Sequence, residues 1–148
     1  MPPIGSDNFY SPENEHFYQQ NIYTELKQEE HSREFRLLKI NPAQFIKGQL
    51  TCDLVTVSFE EFKSRYTTLS YCAGDPKKTR ALTINGVEFN AFATLWESIH
   101  QAWWYWTGSG REGVQYLWAD QVCINQSNSQ ERSRQVSHFS KIIEMCSM

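Results

Sequence analysis

Side chains that could do chemistry are concentrated in one short stretch, "LWADQVCINQ", which spans residues 117–126. Three apolar residues are followed by the acid Asp120, the thiol Cys123 and the amides of Asn125 and Gln126. These residue types raise two chemical possibilities, a cysteine nucleophile and a site that binds a metal or ligand. The structural alternative is a capped turn, because Asp and Asn side chains often accept bonds from nearby main-chain amides.

A cysteine nucleophile needs a base within hydrogen-bond reach of its thiol. His100 and His138 are the candidate bases, and Asp120 would orient them, but both histidines lie on other predicted elements. Nothing in their spacing brings either one to Cys123. A buried thiol at the end of a strand therefore explains Cys123 better than catalysis does.

Metal and phosphate chemistry have weak support. Asp120 is a single carboxylate, and Asp53 and Asp75 lie elsewhere in the chain, whereas hard cations need several oxygen ligands. The basic turn "KKTR" at residues 77–80 could meet a phosphate, but it is short, and the sequence has no glycine-rich phosphate loop. We predict neither a metal nor a cofactor.

The stretch "NSQERSR" predicts the beginning of a helix. Asn128 precedes Glu131 by three residues, the spacing of a capping box. Glu131, Arg132 and Arg134 then stand at helical spacings at which ion pairs contribute about 0.2–0.5 kcal/mol each. This pattern predicts a solvated helix face.

Composition describes one globular domain of 148 residues, 40% hydrophobic and 21% charged. A net charge of -3 gives no electrostatic basis for binding nucleic acid or an anionic membrane. The cysteines, which form no C-x-x-C pair, predict neither a metal cluster nor a disulfide framework. The sequence shows no signal peptide and no run of about 18 apolar residues, so we predict a cytoplasmic protein without a membrane span. The cysteines are Cys52, Cys72, Cys123 and Cys146.

The elements that position these groups follow from hydrophobic periodicity. Residues 1–31 are polar and predict a flexible arm, with a short helix that begins at Ser11-Pro12 and extends to Leu26. Asn85-Gly86, between alternating residues, predicts a β-hairpin. A helix opening at Asn90 buries a stripe that includes Trp96, Ile99 and Trp103. Further strands are predicted over Glu34–Ile40, Leu50–Phe59, Tyr66–Gly74 and residues 114–119.

Strands and helices alternate from Tyr66 onward, which is typical of an open α/β sheet. We expect the strands at Thr67–Tyr71 and Tyr116–Asp120 to be parallel neighbours, with the hairpin inserted between them and the two earlier strands added at an edge. Ligands of such sheets bind beyond the carboxyl ends of the strands. The polar clusters "SYCAGDPKKTR" and "DQVCINQ" both lie at those ends.

Three of these motifs resemble the HET domain of fungal heterokaryon-incompatibility proteins. The family pattern is an R-L-L strand, then Y-x-x-L-S-Y-x-W-G, then L-W-I-D-x-x-C-I-N-Q followed by E-R-x-x-Q-V. The corresponding stretches read "FRLLKI", "YTTLSYCAG" and "LWADQVCINQSNSQERSRQV". The chain is therefore identified as a member of this family, with a HET domain over residues 32–148.

The resemblance implies a fold remotely similar to the TIR domain, a flavodoxin-like sheet with parallel core strands. It also implies a role in non-self recognition and programmed cell death, through a protein partner that is another incompatibility protein or a second copy. We expect a non-enzymatic module. The alternatives are a TIR-like nucleotide-binding or NAD-cleaving enzyme and an inactive fragment. The motif residues at the rim are Ser70, Tyr71, Gly74, Asp120, Cys123, Asn125, Gln126, Glu131 and Arg132.

Two departures from the family pattern qualify the resemblance. Ala73 stands where the family has Trp. Family members also continue past the last predicted helix into a further strand, so we expect a truncated domain. In TIR enzymes that cleave NAD the catalytic Glu follows that further strand, and Glu131 precedes it, so Glu131 does not inherit the catalytic role.

Overall fold

Residues 9–29, 33–41, 50–69, 74–75, 77–111 and 113–135 are described in the computed structural model. The strands are β1 (Glu34–Ile40), β2 (Thr51–Ser58), β3 (Thr67–Thr68), β4 (Thr79–Ile84), β5 (Val87–Phe92) and β6 (Gln115–Trp118). The helices are α1 (Glu15–Tyr18), α2 (Phe59–Phe62), α3 (Ala93–Gly108), α4 (Asp120–Cys123) and α5, whose described part is residues 129–135, and a 3₁₀ turn at Pro12–Asn14 precedes α1.

The strands form one mixed sheet in the order β3-β6-β1-β2-β4-β5. Two pairs are parallel, β3 with β6 and β2 with β4. The other pairs, β6 with β1, β1 with β2 and β4 with β5, are antiparallel. The predicted α/β class is therefore confirmed, with a sheet in which antiparallel pairs predominate.

The predicted parallel neighbours are confirmed, since Thr67 of β3 is in register with Leu117 of β6. The prediction that the two earlier strands lie at an edge is wrong, because β1 and β2 form the centre of the sheet. Four consecutive residues of β1, Phe35 to Leu38, are buried. The buried main-chain groups of such a strand need hydrogen-bond partners along both of its edges, and β6 and β2 supply them.

Residues 9–29 pack against the sheet, unlike the loose arm expected from their composition. Phe17 is fully buried, with its ring centroid 4.8 Å from that of Phe89. The Asn14 side chain donates to the Asn90 carbonyl at 3.0 Å and accepts from the Asn90 amide at 2.7 Å, which covers the outer edge of β5. The helix predicted to extend to Leu26 ends at Tyr18. The domain boundary near residue 31 stays a prediction.

Helix α3 lies across the sheet and begins at Ala93, three residues later than predicted, because Asn90 belongs to β5. Leu95 and Ile99 are buried as expected, but Trp96 and Trp103 are only half-buried. The C-terminal part of the third predicted strand (residues 70–73) and the end of the last predicted helix (residues 136–148) lie outside the described residues. Within the described part of the chain, no helix combines the length and apolar character needed to cross a membrane.

The predicted hairpin is confirmed, and its turn gives a test of the fold. Asn85 and Gly86 both adopt positive φ, 52° and 79°, the geometry of a type I′ turn. Gly86→Ala should lower the free energy of unfolding by about 1–2 kcal/mol, because a Cβ is strained in the left-handed region. Urea denaturation followed by tryptophan fluorescence measures the change.

Gly108→Ala is the matched control, because Gly108 ends α3, lacks positive φ, and a Cβ there would meet nothing within 4 Å. It should leave the free energy of unfolding unchanged or raise it by up to about 1 kcal/mol. Equal destabilisation by the two substitutions would contradict the turn assignment.

Candidate functional site

The "LWADQVCINQ" stretch folds as a strand end, a short helix and a turn. Strand β6 ends at Trp118, Ala119 is extended, and the chain then turns into α4. The Cys123 amide donates to the Ala119 carbonyl at 2.8 Å, which closes the turn of α4. Asp120 is therefore the first residue of a helix. This differs from our prediction, in which Asp120 is the last residue of a strand.

Glu131 is buried, and the prediction that it lies on a solvated helix face is wrong. Its carboxylate forms a two-pronged ion pair with Arg36 of β1: Nη1 donates to Oε2 and Nη2 donates to Oε1, both at 2.7 Å. The exposed fractions of the two side chains are 1% for Arg36 and 5% for Glu131. A charge-assisted pair of this geometry is among the strongest hydrogen-bonding arrangements in proteins.

The remaining contacts of Arg36 join two further segments of the chain, the N-terminal segment and α4. Nη2 donates to the carbonyl of Thr24 at 2.6 Å, and Nη1 lies 3.4 Å from the carbonyl of Cys123. The guanidinium carbon also lies 4.8 Å from the centroid of the Tyr23 ring, whose hydroxyl donates to the Val122 carbonyl. The N-terminal segment, β1 and α4 are therefore held together at one cation.

The Glu131 carboxylate also fixes the turn that precedes α5. Its Oε2 accepts the Asn125 amide at 2.5 Å, while the Glu131 amide donates to Oδ1 of Asn128 at 3.0 Å. The predicted cap by Asn128 is thus confirmed. The reciprocal half of a capping box does not form, because the glutamate side chain is directed to Arg36 and Asn125 instead.

The amide side chains of the motif bond to the main chain. Oδ1 of Asn125 accepts the Ser127 amide at 3.1 Å, and Nε2 of Gln126 donates to the Asp120 carbonyl at 2.8 Å. Arg132 donates through Nη1 to the Gln126 carbonyl at 3.2 Å. These residues close the loop between α4 and α5, as the structural interpretation of the motif predicted.

Sequence reasoning missed two residues that build this region. Arg36 was noted only as part of the "FRLL" pattern, although a lone charge in an apolar strand is itself a signal of a buried partner. Gln121 was not singled out at all. It is fully buried, and its Oε1 accepts the Phe92 amide at 2.9 Å, which ties α4 to the beginning of α3. Nothing in the sequence distinguished it from a surface glutamine.

Of the other predicted rim residues, the structure describes Asp120 and Gly74. Asp120 is half-buried, and the hydrogen bonds predicted for its carboxylate stay a prediction. Gly74 is exposed with φ of +62°, and a Cβ there would lie 3.3 Å from Cγ2 of Thr94, so this loop passes close to the beginning of α3. Ser70 and Tyr71 lie outside the described residues.

Cys123 is in an environment that opposes nucleophilic chemistry. The thiol is fully buried, and its sulfur accepts the Ala119 amide at 3.4 Å. Burial raises the pKa of the Cys123 thiol to about 12, an effect that the Ala119 amide and Arg36 only partly oppose. The reactive thiolate is therefore disfavoured. His100 stacks on Trp96 at 3.6 Å between ring centroids, and its Nδ1 lies 2.9 Å from the Trp96 carbonyl.

The region as a whole is a bonded scaffold with a polar rim. The side chains of Glu131, Asn125, Gln126 and Arg132 are bonded to Arg36 or to main-chain groups, which gives the turn a fixed shape. Across the described ranges, no three His, Cys, Asp or Glu side chains converge as a metal site would require. What this arrangement can do chemically is hold a surface in one geometry.

Comparison with known proteins gives one family. The profile described as "Heterokaryon incompatibility protein (HET)" matches residues 66–148, more than half of the 148 residues. No curated protein and no solved structure matches the chain. The matched segment contains the turn and Glu131, whereas Arg36 and the central strands β1 and β2 precede it.

The ion pair predicts a large effect of removing one partner. Glu131→Ala should lower the free energy of unfolding by about 3–5 kcal/mol, because it leaves the Arg36 cation buried without its counter-charge. Arg134→Ala is the control on the same helix, where the side chain is exposed, and should change the free energy of unfolding by less than about 0.5 kcal/mol. Urea titration of both variants distinguishes a buried pair from a solvated one.

The burial of the Cys123 thiol predicts that the folded protein reacts slowly with thiol reagents and that it loses stability at alkaline pH. In a Cys72→Ser/Cys146→Ser background at about pH 8, native protein should react slowly with a thiol reagent and urea-unfolded protein rapidly. The folded pKa of about 12 exceeds the ordinary value of 9.0. The protonated thiol therefore contributes fully to the free energy of unfolding when the pH is below 9.0. This contribution is lost as the pH rises from 9.0 toward 12. Rapid labelling of the native protein would contradict the burial.

Proposed function

Because the chain belongs to the heterokaryon incompatibility (HET) family, we propose that it is a non-enzymatic signalling or interaction module. Its biological role in this proposal is fungal non-self recognition and programmed cell death, carried out in the cytoplasm through a protein partner. The match to the family profile supports the proposal that the chain acts in this process. The proposal covers the HET domain at residues 32–148, with residues 9–29 as a packed extension.

The non-enzymatic part of the proposal rests on one observation. The reactive groups of the motif are either bonded to other groups of the protein or buried. Glu131 is neutralised by Arg36, and the amide of Gln126 is bonded to the Asp120 carbonyl. Cys123 is buried with a raised pKa. Groups that serve as nucleophile, acid or base need access to a substrate. Groups bonded in this way support a scaffold whose outer surface is recognised.

That surface is the rim of the turn between α4 and α5. Asp120, Asn125 and Arg132 are half-buried there, and residues 127–130 are exposed. Hydrogen bonds inside the turn hold these groups in a fixed arrangement, which lowers the entropy lost when a protein partner docks. We place the partner-binding surface at this rim, with Asp120 as its acidic group.

Cell killing provides the test. We expect expression of the chain in a fungal cell to reduce viability, and Asp120→Asn to reduce killing while leaving the urea midpoint of the purified protein unchanged. Arg134→Ala, which alters an exposed side chain of α5, is the control and should kill as the unaltered chain does. Loss of killing that simply follows the loss of folded protein would support a structural role for Asp120 alone.

The enzyme alternative makes a separate prediction. A TIR-like nucleotide-cleaving domain would release nicotinamide when the purified protein is incubated with NAD. We expect no release above that of a heat-unfolded sample. Release that Asp120→Asn abolishes would overturn the non-enzymatic proposal. Absence of both release and cell killing would favour the inactive fragment.

A further inference from the structure

The outer edge of β5, the last strand in the sheet order, is closed by side chains instead of by another strand. In a hairpin with a two-residue turn, alternate residues direct their main-chain groups away from the partner strand. The register of β4 with β5 makes these residues Glu88, Asn90 and Phe92. The Asn90 amide accordingly donates to Oδ1 of Asn14. The Phe92 amide donates to Oε1 of Gln121.

The carboxamide of Asn14 occupies the position of a strand residue opposite Asn90. Its Nδ2 donates to the Asn90 carbonyl at 3.0 Å, and its Oδ1 accepts the Asn90 amide at 2.7 Å. Two residues that form a hydrogen-bonded pair in antiparallel strands exchange the same two bonds. Asn14 is buried, so the pair of bonds is shielded from water. Without this cover, the edge would present main-chain groups on which another chain can pair.

Residues 9–18, called the strap below, carry this carboxamide and cover the apolar side of β5. Phe17 of the strap is fully buried, and its ring centroid lies 4.8 Å from that of Phe89. The strap forms none of the strand pairs of the sheet. Its displacement therefore leaves the sheet intact and uncovers two features of β5 together, the Phe89 ring and the outward main-chain groups of Asn90.

We propose that the β5 edge is an interaction surface for a second copy of the chain and that the strap is its autoinhibitory cover. When the strap is displaced, the β5 strands of two copies pair antiparallel about a two-fold axis perpendicular to the sheet, which makes the two sheets continuous. The strap and the second copy compete for the same bonds, so the unaltered chain remains a monomer. A closed two-fold contact is the commonest form of self-association among soluble proteins.

The β5 sequence is complementary to itself in one register, which supports a second copy as the occupant. With Phe89 opposite Phe89 at the axis, Glu88 of each copy pairs with Asn90 of the other. Their outward main-chain groups then exchange the bonds that Asn14 otherwise supplies. The two Phe89 rings lie on the same face, where each replaces Phe17 as an aromatic neighbour. Like charges do not oppose each other, because each Glu88 faces an amide side chain.

Sedimentation velocity of full-length variants tests the proposal. Asn14→Ala/Phe17→Ser removes both contacts by which the strap holds the β5 edge. Its weight-average mass should rise from one chain toward two as the concentration increases, while the unaltered chain stays at one. Gln19→Ala/Gln20→Ala is the matched control, because these side chains follow α1 and are exposed. The control should also stay at one chain.

Asn90→Pro separates strand pairing from the association of a partly unfolded protein. Proline has no N–H group to donate, and edge strands tolerate it where that group faces outward. Added to Asn14→Ala/Phe17→Ser, it should return the mass to one chain with an unchanged circular dichroism spectrum. Association that persists after this addition would overturn the proposal. So would a folded Asn14→Ala/Phe17→Ser protein that remains at one chain.

Asn14→Asp provides a milder variant that retains Phe17, for use if the double variant does not fold. A carboxylate accepts the Asn90 amide but cannot donate to the Asn90 carbonyl, so the edge is only half closed. This variant should also associate, at higher concentration than the double variant, and a monomeric Asn14→Asp protein would contradict the proposal. The readout is the mass of purified protein, so it is independent of the cell-killing assay.

Discussion

The structure depends on one buried charge pair. Arg36 and Glu131 are removed from water, and desolvation of both charges is unfavourable unless their mutual pairing and further hydrogen bonds offset it. Here the carboxylate accepts both guanidinium nitrogens and the Asn125 amide, and the guanidinium also donates to the Thr24 carbonyl. Four parts of the chain are therefore fixed relative to one another: the N-terminal segment, the central strand β1, the turn after α4, and α5.

This constraint explains why a motif rich in polar residues forms an interior. Gln126 and Glu131 carry groups that would suit catalysis, yet each is used to satisfy a main-chain or charged partner that burial would otherwise leave unpaired. The Cys123 thiol lies beside the same cation and is kept protonated by burial. We propose that function resides in the surface that this bonded interior supports.

The folding unit extends beyond the segment that identifies the family. The family profile begins at residue 66, whereas the cation paired with Glu131 is at residue 36 on the central strand of the sheet. Residues 9–29 contribute Phe17 to the core and the Thr24 carbonyl to the pair. A fragment containing only the matched segment would leave Glu131 without its counter-charge.

The sequence by itself determined the features that depend on near neighbours. The bounds of β1, the Asn85-Gly86 turn and the Asn128 cap were predicted, because backbone geometry and residue periodicity act over a few residues. The parallel pairing of β3 with β6 was predicted from the order in which strands and helices alternate along the chain. Only the tertiary structure decided that β1 and β2 are central, that residues 9–29 are packed, and that Glu131 is buried. Arg36 and Glu131 are 95 residues apart. Burial and charge pairing depend on which distant segments meet, and no local pattern contains that information.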